Sequence, residues 1–171
     1  MNILKKTAII LTVTVMFSSA GILAKSSGKV KSASSDCRTG QCIHNISVKN
    51  ISEMNRELKK ASSLSCSDRK CLSLKLGRLN SLLQKAEKMI TDITEYDHAD
   101  IFRDSQRKWE KFLESAVISH LMIYSDSKDP GSIEGLGFRI SMTEERISSI
   151  ISYYSDYAEE LAFEKGYMGE N

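Results

Sequence analysis

Apolar residues recur at every third or fourth position along most of this chain, a spacing that is typical of amphipathic helices. The strongest stripe predicts a helix over residues 68–93, with apolar positions at Leu72, Leu76, Leu79, Leu82, Leu83, Ala86, Met89 and Ile90. Shorter stripes predict a helix that begins near Ser47 or Asn50, and a helix that Asp97 or Asp100 caps and that ends near residue 124. No segment alternates as a strand does, so we predict an all-α fold, a small bundle of about four helices.

The fourth helix is predicted to follow a long loop. The only proline, Pro130, and three glycines lie within residues 125–142, a stretch that predicts a connection of about 18 residues. Thr143 is then a favourable N-cap, because Glu144 and Glu145 would lie at the positive end of the helix that follows.

The N-terminus has the pattern of a secretory signal over residues 1–24. Two early lysines precede an apolar run without acidic residues, and small residues follow it, so we predict cleavage after Ala20 or Ala24. An uncleaved membrane anchor is the alternative. No cysteine lies within residues 18–30, which excludes lipidation at a signal cysteine. We therefore predict a periplasmic or secreted protein that has no membrane contact after cleavage.

The remaining chain is predicted to be one domain. Residues 25–35 form a polar segment that predicts a flexible tail, residues 36–165 a single helical domain, and residues 166–171 a C-terminal tail.

Four cysteines in an exported chain predict disulfides. Cys37 and Cys42 have the same separation as Cys66 and Cys71, and the spacing allows two local bridges or two pairs that cross between the segments. A zinc site is the rival interpretation, but export and the absence of a Cys-x-x-Cys pair disfavour it. We predict disulfides that stabilise the N-terminal end of the bundle and no metal site.

Charge and motif content exclude several classes of function. The predicted signal holds two of the 24 lysine and arginine residues and none of the 22 acidic residues, so the rest of the chain is close to neutral. Interleaved charges and few aromatic residues argue against a nucleic-acid partner. The chain has no phosphate-binding glycine loop and no nucleophile elbow, and its three histidines are scattered. We predict a protein that is not an enzyme and needs no cofactor.

The only tryptophan lies on an apolar helix face together with an unusual glutamine. At helical spacing Gln106 falls one turn before Trp109, on the same face as Phe102 and Leu113. A glutamine in that position must form a hydrogen bond inside the fold or lie at its edge. We interpret this stretch as a helix that faces the core.

The same stretch resembles the central motif of a protein family. The pattern Arg103-x-x-Gln106-Arg107-x-Trp109-x-x-Phe112 is similar to that of the lysozyme inhibitor LprI-like N-terminal domain family of bacterial secreted α-helical proteins. Further similar segments, which extend the resemblance to residues 36–157, are Asp36-Cys37, Cys66-Ser67-Asp68 with the leucines that follow, Gly131-Ser132 and Thr143-Glu144-Glu145-Arg146. The chain departs from the family at Leu113, where an arginine is usual, and lacks a second cysteine pair near Val117 and residues 138–141.

The resemblance implies a protein that binds and blocks a lysozyme and so protects peptidoglycan. It also implies a bridge from the region of Cys37 to Cys66, which favours the crossed pairing Cys37–Cys66 with Cys42–Cys71. We interpret the motif residues as structural residues that hold the fold together rather than as a contact surface. They are Arg103, Gln106, Arg107, Trp109, Phe112, Thr143 and Arg146.

The predicted long loop is the candidate partner-binding segment, with Lys128, Ser132 and Arg139 as contacts. A rigid, polar or cationic loop could fill a lysozyme cleft or neutralise its two catalytic carboxylates. The alternative is a non-inhibitory periplasmic interaction module, such as a toxin-immunity or envelope-stress protein, that uses the same scaffold. The sequence leaves the oligomeric state open.

Overall fold

A computed structural model of the chain describes residues 39–94 and 96–168, and four helices account for most of them. The helices are α1 (Gly40–Ser62), α2 (Arg69–Ile93), α3 (Tyr96–Tyr124) and α4 (Ile133–Glu164). The described residues contain no strand, which confirms the all-α prediction. The predicted signal, the predicted flexible tail, Cys37 and the last three residues lie outside the described ranges. No helix within the described ranges is long and apolar enough to cross a membrane.

The helices run alternately up and down, and α4 lies at the centre of their contacts. It packs against the other three helices, most extensively against α2 and α1, whereas α1 and α3 do not pack against each other. Most of the buried apolar side chains form one core cluster contributed by α1, α2 and α4. A second core cluster, Leu113, Val117 and Leu121, joins the C-terminal half of α3 to Phe138 and Met142 of α4. The position of α3 therefore depends on α2 and α4.

Helix α1 begins earlier than the hydrophobic pattern predicts. The Thr39 side chain caps it by accepting a hydrogen bond from the Cys42 backbone amide at 3.3 Å. The start of α1 lies against the end of α4, where the Gly40 amide donates to the Lys165 carbonyl at 3.1 Å and the His44 ring stacks on Tyr167. Any side chain at Gly40 would collide with the Ala162 carbonyl oxygen. The predicted start was wrong because packing against α4 stabilises two further turns.

The starts of α2 and α3 test the other predicted caps. Asp68 accepts from the Cys71 amide at 2.9 Å and caps α2, which confirms the predicted bounds of that helix. Asp97 and Asp100, in contrast, lie inside α3, which already begins at Tyr96. Asp100 accepts instead from the Arg103 guanidinium at 2.7 Å, so its prediction as a cap was wrong.

The predicted loop over residues 125–142 was also wrong, because α4 begins at Ile133. Ser132 caps it by accepting from the Gly135 amide at 3.1 Å. A Cβ atom at Gly135 would lie 2.6 Å from the Pro130 carbonyl oxygen, so this glycine permits the close approach of the connection. Thr143 is not a cap but is buried within α4, and its hydroxyl group donates to the Arg139 carbonyl at 2.8 Å.

The disulfide between Cys66 and Cys71 shows that the crossed pairing was wrong. The bond lies where α1 connects to α2, at the opposite end of the bundle from the start of α1, so the predicted placement at the N-terminal end was wrong for this bridge. Because the Asp68 cap starts α2 at Arg69, Cys71 falls in the first turn and comes close to Cys66. Since these two sulfurs are bonded to each other, they do not form a four-thiolate zinc site. Cys42 is also disulfide-bonded.

We expect removal of this bridge by the double substitution Cys66→Ser and Cys71→Ser to lower the free energy of unfolding by about 2 kcal/mol. The loop that it closes is short, so the loss of constraint on the unfolded chain is small. Denaturant unfolding followed by circular dichroism measures the change.

Peptide mapping checks the pairing independently. Trypsin cleaves after Arg69 and Lys70, so the Cys66 peptide and the Cys71 peptide should remain joined in the unreduced digest and separate on reduction. A crossed peptide pair in the digest would contradict the structure.

Candidate functional site

The motif residues bring together a polar junction that we define as Glu87 of α2, Gln106 and Trp109 of α3, and Arg146 of α4. The Arg146 Nε donates to the Gln106 Oε1 at 2.9 Å. The Arg146 guanidinium carbon lies 5.7 Å from the centroid of the Trp109 ring, within the range of a cation–π interaction. Gln106 is only 4% exposed, so the predicted internal hydrogen bond is confirmed. The polar junction links three helices.

Burial dominates the electrostatics of the polar junction. It raises the pKa of the Glu87 carboxyl, and the negative charge of Glu110 raises it further, while the nearby Arg146 opposes both effects. Burial also lowers the pKa of the Arg146 guanidinium, against the attraction of Glu87. An arginine stays protonated at physiological pH despite such a shift. The polar junction therefore contains the Arg146 cation. Glu87 can neutralise it only if its own buried carboxylate is ionised, which costs desolvation free energy.

The amide nitrogen of Gln106 lies at the centre of the junction. Its Nε2 is buried and has no partner in hydrogen-bond geometry among the described residues. The Gln106 amide nevertheless lowers the pKa of Glu87 by its interaction with the carboxylate, although burial outweighs that effect. The amide dipole of Gln106 therefore acts on the Glu87 carboxylate without a close hydrogen bond. Glu87 thus interacts electrostatically with both Gln106 and Arg146.

The other motif residues are distributed between the core and the surface. Trp109 is partly buried and packs against both core clusters, so the interpretation of a core-facing helix holds for this residue in part. Phe112 is 53% exposed, and Arg103 and Arg107 are also exposed. Thr143 is buried one turn before Arg146. The arrangement gathers Gln106, Trp109 and Arg146 in one place and leaves Arg103, Arg107 and Phe112 exposed.

Sequence reasoning did not select Glu87, the fourth member of the junction. It lies beside Ala86 in the apolar stripe of α2, where it looks like an ordinary flanking charge. The sequence contained two separate indications, an acidic residue at the edge of that stripe and an arginine in the motif. Because no spacing rule relates residues on different helices, the sequence did not show that Glu87 and Arg146 are neighbours.

In the connection between α3 and α4, residues 125–132, short side chains form hydrogen bonds with the backbone of the same segment. The Ser125 hydroxyl oxygen accepts from the Ser127 amide at 3.1 Å, and the Ser127 hydroxyl oxygen accepts from the Asp129 amide at 3.2 Å. The Asp129 carboxylate accepts from the Gly131 amide at 2.9 Å and lies 3.7 Å from the Arg69 guanidinium. These contacts hold the connection beside the start of α2, near the disulfide.

The three predicted loop contacts have different surroundings. Lys128 is exposed on the connection and makes no ion pair or hydrogen bond through its side chain within the described part of the chain. Ser132 uses its hydroxyl group to cap α4, and Arg139 lies within α4 and is half-buried. Since Arg139 belongs to a helix, its placement in a loop was wrong. Lys128 is the residue best placed to reach a partner.

A third feature is the outer face of α3, which we define as Phe112, Ile118, Met122 and Ile123. These side chains are 53%, 52%, 69% and 70% exposed. Residues 115–125 contain no charged side chain. A contiguous exposed apolar surface of this kind is typical of an interaction site rather than of a solvated helix.

The described residues show two surface depressions that lie apart from the polar junction. They contain no group of three or more histidine, cysteine, aspartate or glutamate residues that could hold a metal ion. A surface depression of about 290 Å³ lies at the end of α4 and is lined by Glu159, Glu160, Phe163, Tyr167 and Met168. A depression of about 210 Å³ between α1 and α2 is lined by Asn50, Glu53, Met54, Glu57, Lys85 and Met89. Neither contains a member of the polar junction.

No protein-family model, no curated protein and no solved structure matches this chain.

We expect Trp109→Ala to lower the free energy of unfolding by about 2–3 kcal/mol, less than the loss of a fully buried tryptophan, because the ring is partly exposed. It removes contacts with both core clusters and uncovers Arg146. Phe163→Ala, at a ring that is 69% exposed, is the matched control and should change the stability by less than about 1 kcal/mol. Equal effects in denaturant unfolding would contradict a packing role for Trp109.

Glu87 predicts a specific dependence of stability on pH. Because its pKa is raised in the folded state, the folded protein binds this proton more tightly than the unfolded chain does. The contribution of Glu87 to stability is therefore greatest below its ordinary pKa of 4.5 and falls as the pH rises towards the raised value. We expect Glu87→Gln to remove that part of the pH dependence.

The measurement is the free energy of unfolding from pH 4 upwards for the parent protein, Glu87→Gln and Glu159→Gln. Glu159 is exposed on α4, and its substitution should preserve the parent profile. A Glu87→Gln profile parallel to that of the parent protein would show that the carboxyl titrates alike in the folded and unfolded states, against the prediction.

Proposed function

We propose that the protein is an exported bacterial binding protein that binds and blocks a lysozyme. The proposal rests on the resemblance of the motif around Trp109 to the LprI-like family and on the placement of Lys128. It includes cleavage of the signal, a periplasmic or secreted location, and action as a binding protein without enzymatic activity or a cofactor.

The exposed Lys128 ammonium group on a self-supported connection is the observation that carries the proposal. A lysozyme cleft contains two catalytic carboxylates, and a cation brought between or beside them would be attracted to both. The hydrogen bonds among Ser125, Ser127 and Asp129 hold the backbone on both sides of Lys128 before any partner is present. Preorganisation of this kind reduces the entropy lost on binding.

The polar junction supports this function indirectly. The connection joins α3 to α4, so the relative position of these two helices determines where Lys128 lies. The hydrogen bond between Arg146 and Gln106 ties the same two helices together. We assign the motif residues a positioning role, in which they fix the packing of α3 on α4 rather than contact lysozyme.

The outer face of α3 favours a second candidate function, a non-inhibitory interaction module of the cell envelope. Such a module would bind its partner through apolar side chains rather than through Lys128 on the connection. Toxin-immunity and envelope-stress proteins are examples of this class. The two candidates differ in the residues they need, so substitutions at Lys128 and on α3 separate them.

We expect the oxidised protein, recovered after export, to inhibit at least one type of lysozyme in a turbidity assay of peptidoglycan lysis. The panel should contain lysozymes of different structural types, because the resemblance does not specify which one is bound. Lys128→Glu should weaken inhibition at least about tenfold, since it places a like charge against the catalytic carboxylates.

Lys49→Glu is the matched control, because Lys49 is an exposed lysine on α1 and the substitution changes the charge by the same amount. It should leave inhibition unchanged. If protein with the helical circular dichroism spectrum of a folded bundle inhibits no lysozyme in the panel, the proposal is wrong. Inhibition that both variants weaken equally would indicate a general charge effect rather than a contact at Lys128.

A further inference from the structure

The end of α4 carries a depression that no other helix of the described bundle fills. We define the C-terminal depression as the surface lined by Glu159, Glu160, Phe163, Tyr167 and Met168, with a volume of about 290 Å³. Phe163 and Met168 are 69% and 83% exposed, so apolar surface lies open beside two carboxylates. A side chain with an aliphatic stem and a cationic end matches both parts of this lining.

A glycine turn gives the C-terminal depression its shape. Gly166 has a φ of 87°, a left-handed conformation that turns the chain back at the end of α4. The Tyr167 amide then donates to the Ala162 carbonyl at 3.0 Å, and the Tyr167 ring stacks on the His44 ring of α1 with 4.2 Å between their centroids. These contacts fix Tyr167 as one wall of the depression.

Negative charge accumulates around the C-terminal depression. Residues 147–164 contain no lysine or arginine, and their four acidic residues are Asp156, Glu159, Glu160 and Glu164. None of the four forms an ion pair with the residues that the structure describes, and Lys165 offsets only one of these charges. They lie towards the negative end of the α4 dipole, where acidic side chains are unfavourable and a cation is favourable. The surface therefore selects a cationic occupant.

The chain itself provides such an occupant immediately before α1. We define the N-terminal segment as residues 25–38, whose one acidic residue is Asp36 and whose basic residues are Lys25, Lys29, Lys31 and Arg38. Both predicted cleavage positions of the signal leave this segment in the exported protein. Its positive charge complements the acidic end of α4.

The N-terminal segment joins α1 at the edge of the C-terminal depression. The Gly40 amide donates to the Lys165 carbonyl at 3.1 Å, and a Cβ atom at Gly40 would lie 2.8 Å from the Cβ atom of Tyr167. From Thr39 back to Lys31 an extended chain reaches about 26 Å, more than enough to return to the depression. A tethered segment has a high effective concentration, so even weak exposed ion pairs can hold it.

Two lysines of the segment have the spacing that the depression requires. In an extended chain, residues two apart lie on the same side, about 6–7 Å from each other. Lys29 and Lys31 are related in this way. Their aliphatic stems would cover the exposed ring of Phe163, while their ammonium groups reach the two glutamates of the depression.

We propose that the N-terminal segment docks in the C-terminal depression of its own chain through Lys29 and Lys31. The docked segment neutralises acidic charge at the end of α4 and closes this surface to other cationic peptides. Lys128 lies beyond the opposite end of α4, so the docking goes beyond the proposed lysozyme binding and does not depend on it.

Zero-length cross-linking with a carbodiimide tests where the segment lies, because the reagent joins an amine to a carboxylate only when the two are in contact. In the oxidised exported protein we expect cross-links from Lys29 or Lys31 to Glu159 or Glu160. Exposed glutamates at the other half of α4, such as Glu145, should give none. An equal mixture of isotopically labelled and unlabelled protein should give cross-links within single chains. Cross-links confined to mixed pairs would assign the depression to a second copy and overturn the proposal.

Thermolysin digestion tests how much of the segment is docked. This protease cleaves before large apolar residues, and Val30 lies between the two lysines. Docking should slow cleavage at Val30 at least about fivefold relative to a synthetic peptide of residues 25–36. Glu160→Lys should raise the rate to that of the peptide. Glu145→Lys, the matched control at an exposed glutamate of the same helix, should keep the slow rate.

A charge exchange tests the pairing. Lys29→Glu with Lys31→Glu should release the segment, and the further substitutions Glu159→Lys and Glu160→Lys should restore slow cleavage. Each rate is compared with that of a peptide of the same sequence. Both glutamates are exposed, so circular dichroism should show folded protein in each variant. Absence of the expected cross-links, slow cleavage in Glu160→Lys, or an exchange that fails to restore slow cleavage would each overturn the proposal.

The lysozyme assay keeps the two proposals separate. Glu160→Lys should inhibit lysozyme as the parent protein does, whereas Lys128→Glu should lose inhibition and retain slow cleavage at Val30. Loss of inhibition in Glu160→Lys would show that lysozyme binds the acidic end of α4, and it would overturn the assignment of the depression to the N-terminal segment. Cross-linking and cleavage still decide the docking if no lysozyme in the panel is inhibited.

Discussion

The position of α3 depends on the hydrogen bond between Arg146 and Gln106 and on the burial that surrounds it. Helix α3 has no contact with α1, so α2 and α4 alone hold it within the described bundle. A half-buried guanidinium needs a hydrogen-bond acceptor and a nearby negative charge, and Gln106 and Glu87 provide these from two different helices. Trp109 covers the guanidinium and joins the two core clusters. Net stability gains little from such a junction, because the desolvation of its charged groups offsets much of their attraction.

Both proposed surfaces follow from this placement of α3. One side of the helix packs on α4, so the opposite side, with Phe112, Met122 and Ile123, is left exposed. The C-terminus of α3 starts the connection that presents Lys128, and the Asp129–Arg69 contact holds that connection beside α2. A single packing arrangement therefore places the connection that exposes Lys128 and an apolar helix face on the same helix pair.

Local patterns predicted the helices where the local signal was strong and agreed with the tertiary contacts. The leucine stripe and the Asp68 cap were sufficient for α2. The glycines and the proline of residues 125–142 led to the prediction of a long loop. This was wrong because Ser132 caps a helix that accommodates Gly135 and Gly137. The position of Gln106 on an apolar face predicted an internal hydrogen bond. It did not predict that Arg146 is the donor. The crossed disulfide pairing failed because a single helix turn brings Cys71 next to Cys66.

The sequence by itself determined the all-α class, the apolar stripes and the need for Gln106 to find a partner, because these depend on helical periodicity and on the cost of burying a polar group. The tertiary structure alone decided which residues meet across helices: Glu87 with Arg146, Arg69 with Asp129, and Tyr154 with Ser47 and Asn50. It also decided which hydrophobic residues of α3 stay in solvent. Periodicity identifies the faces of a helix, whereas the neighbour that each face receives depends on how all four helices pack together.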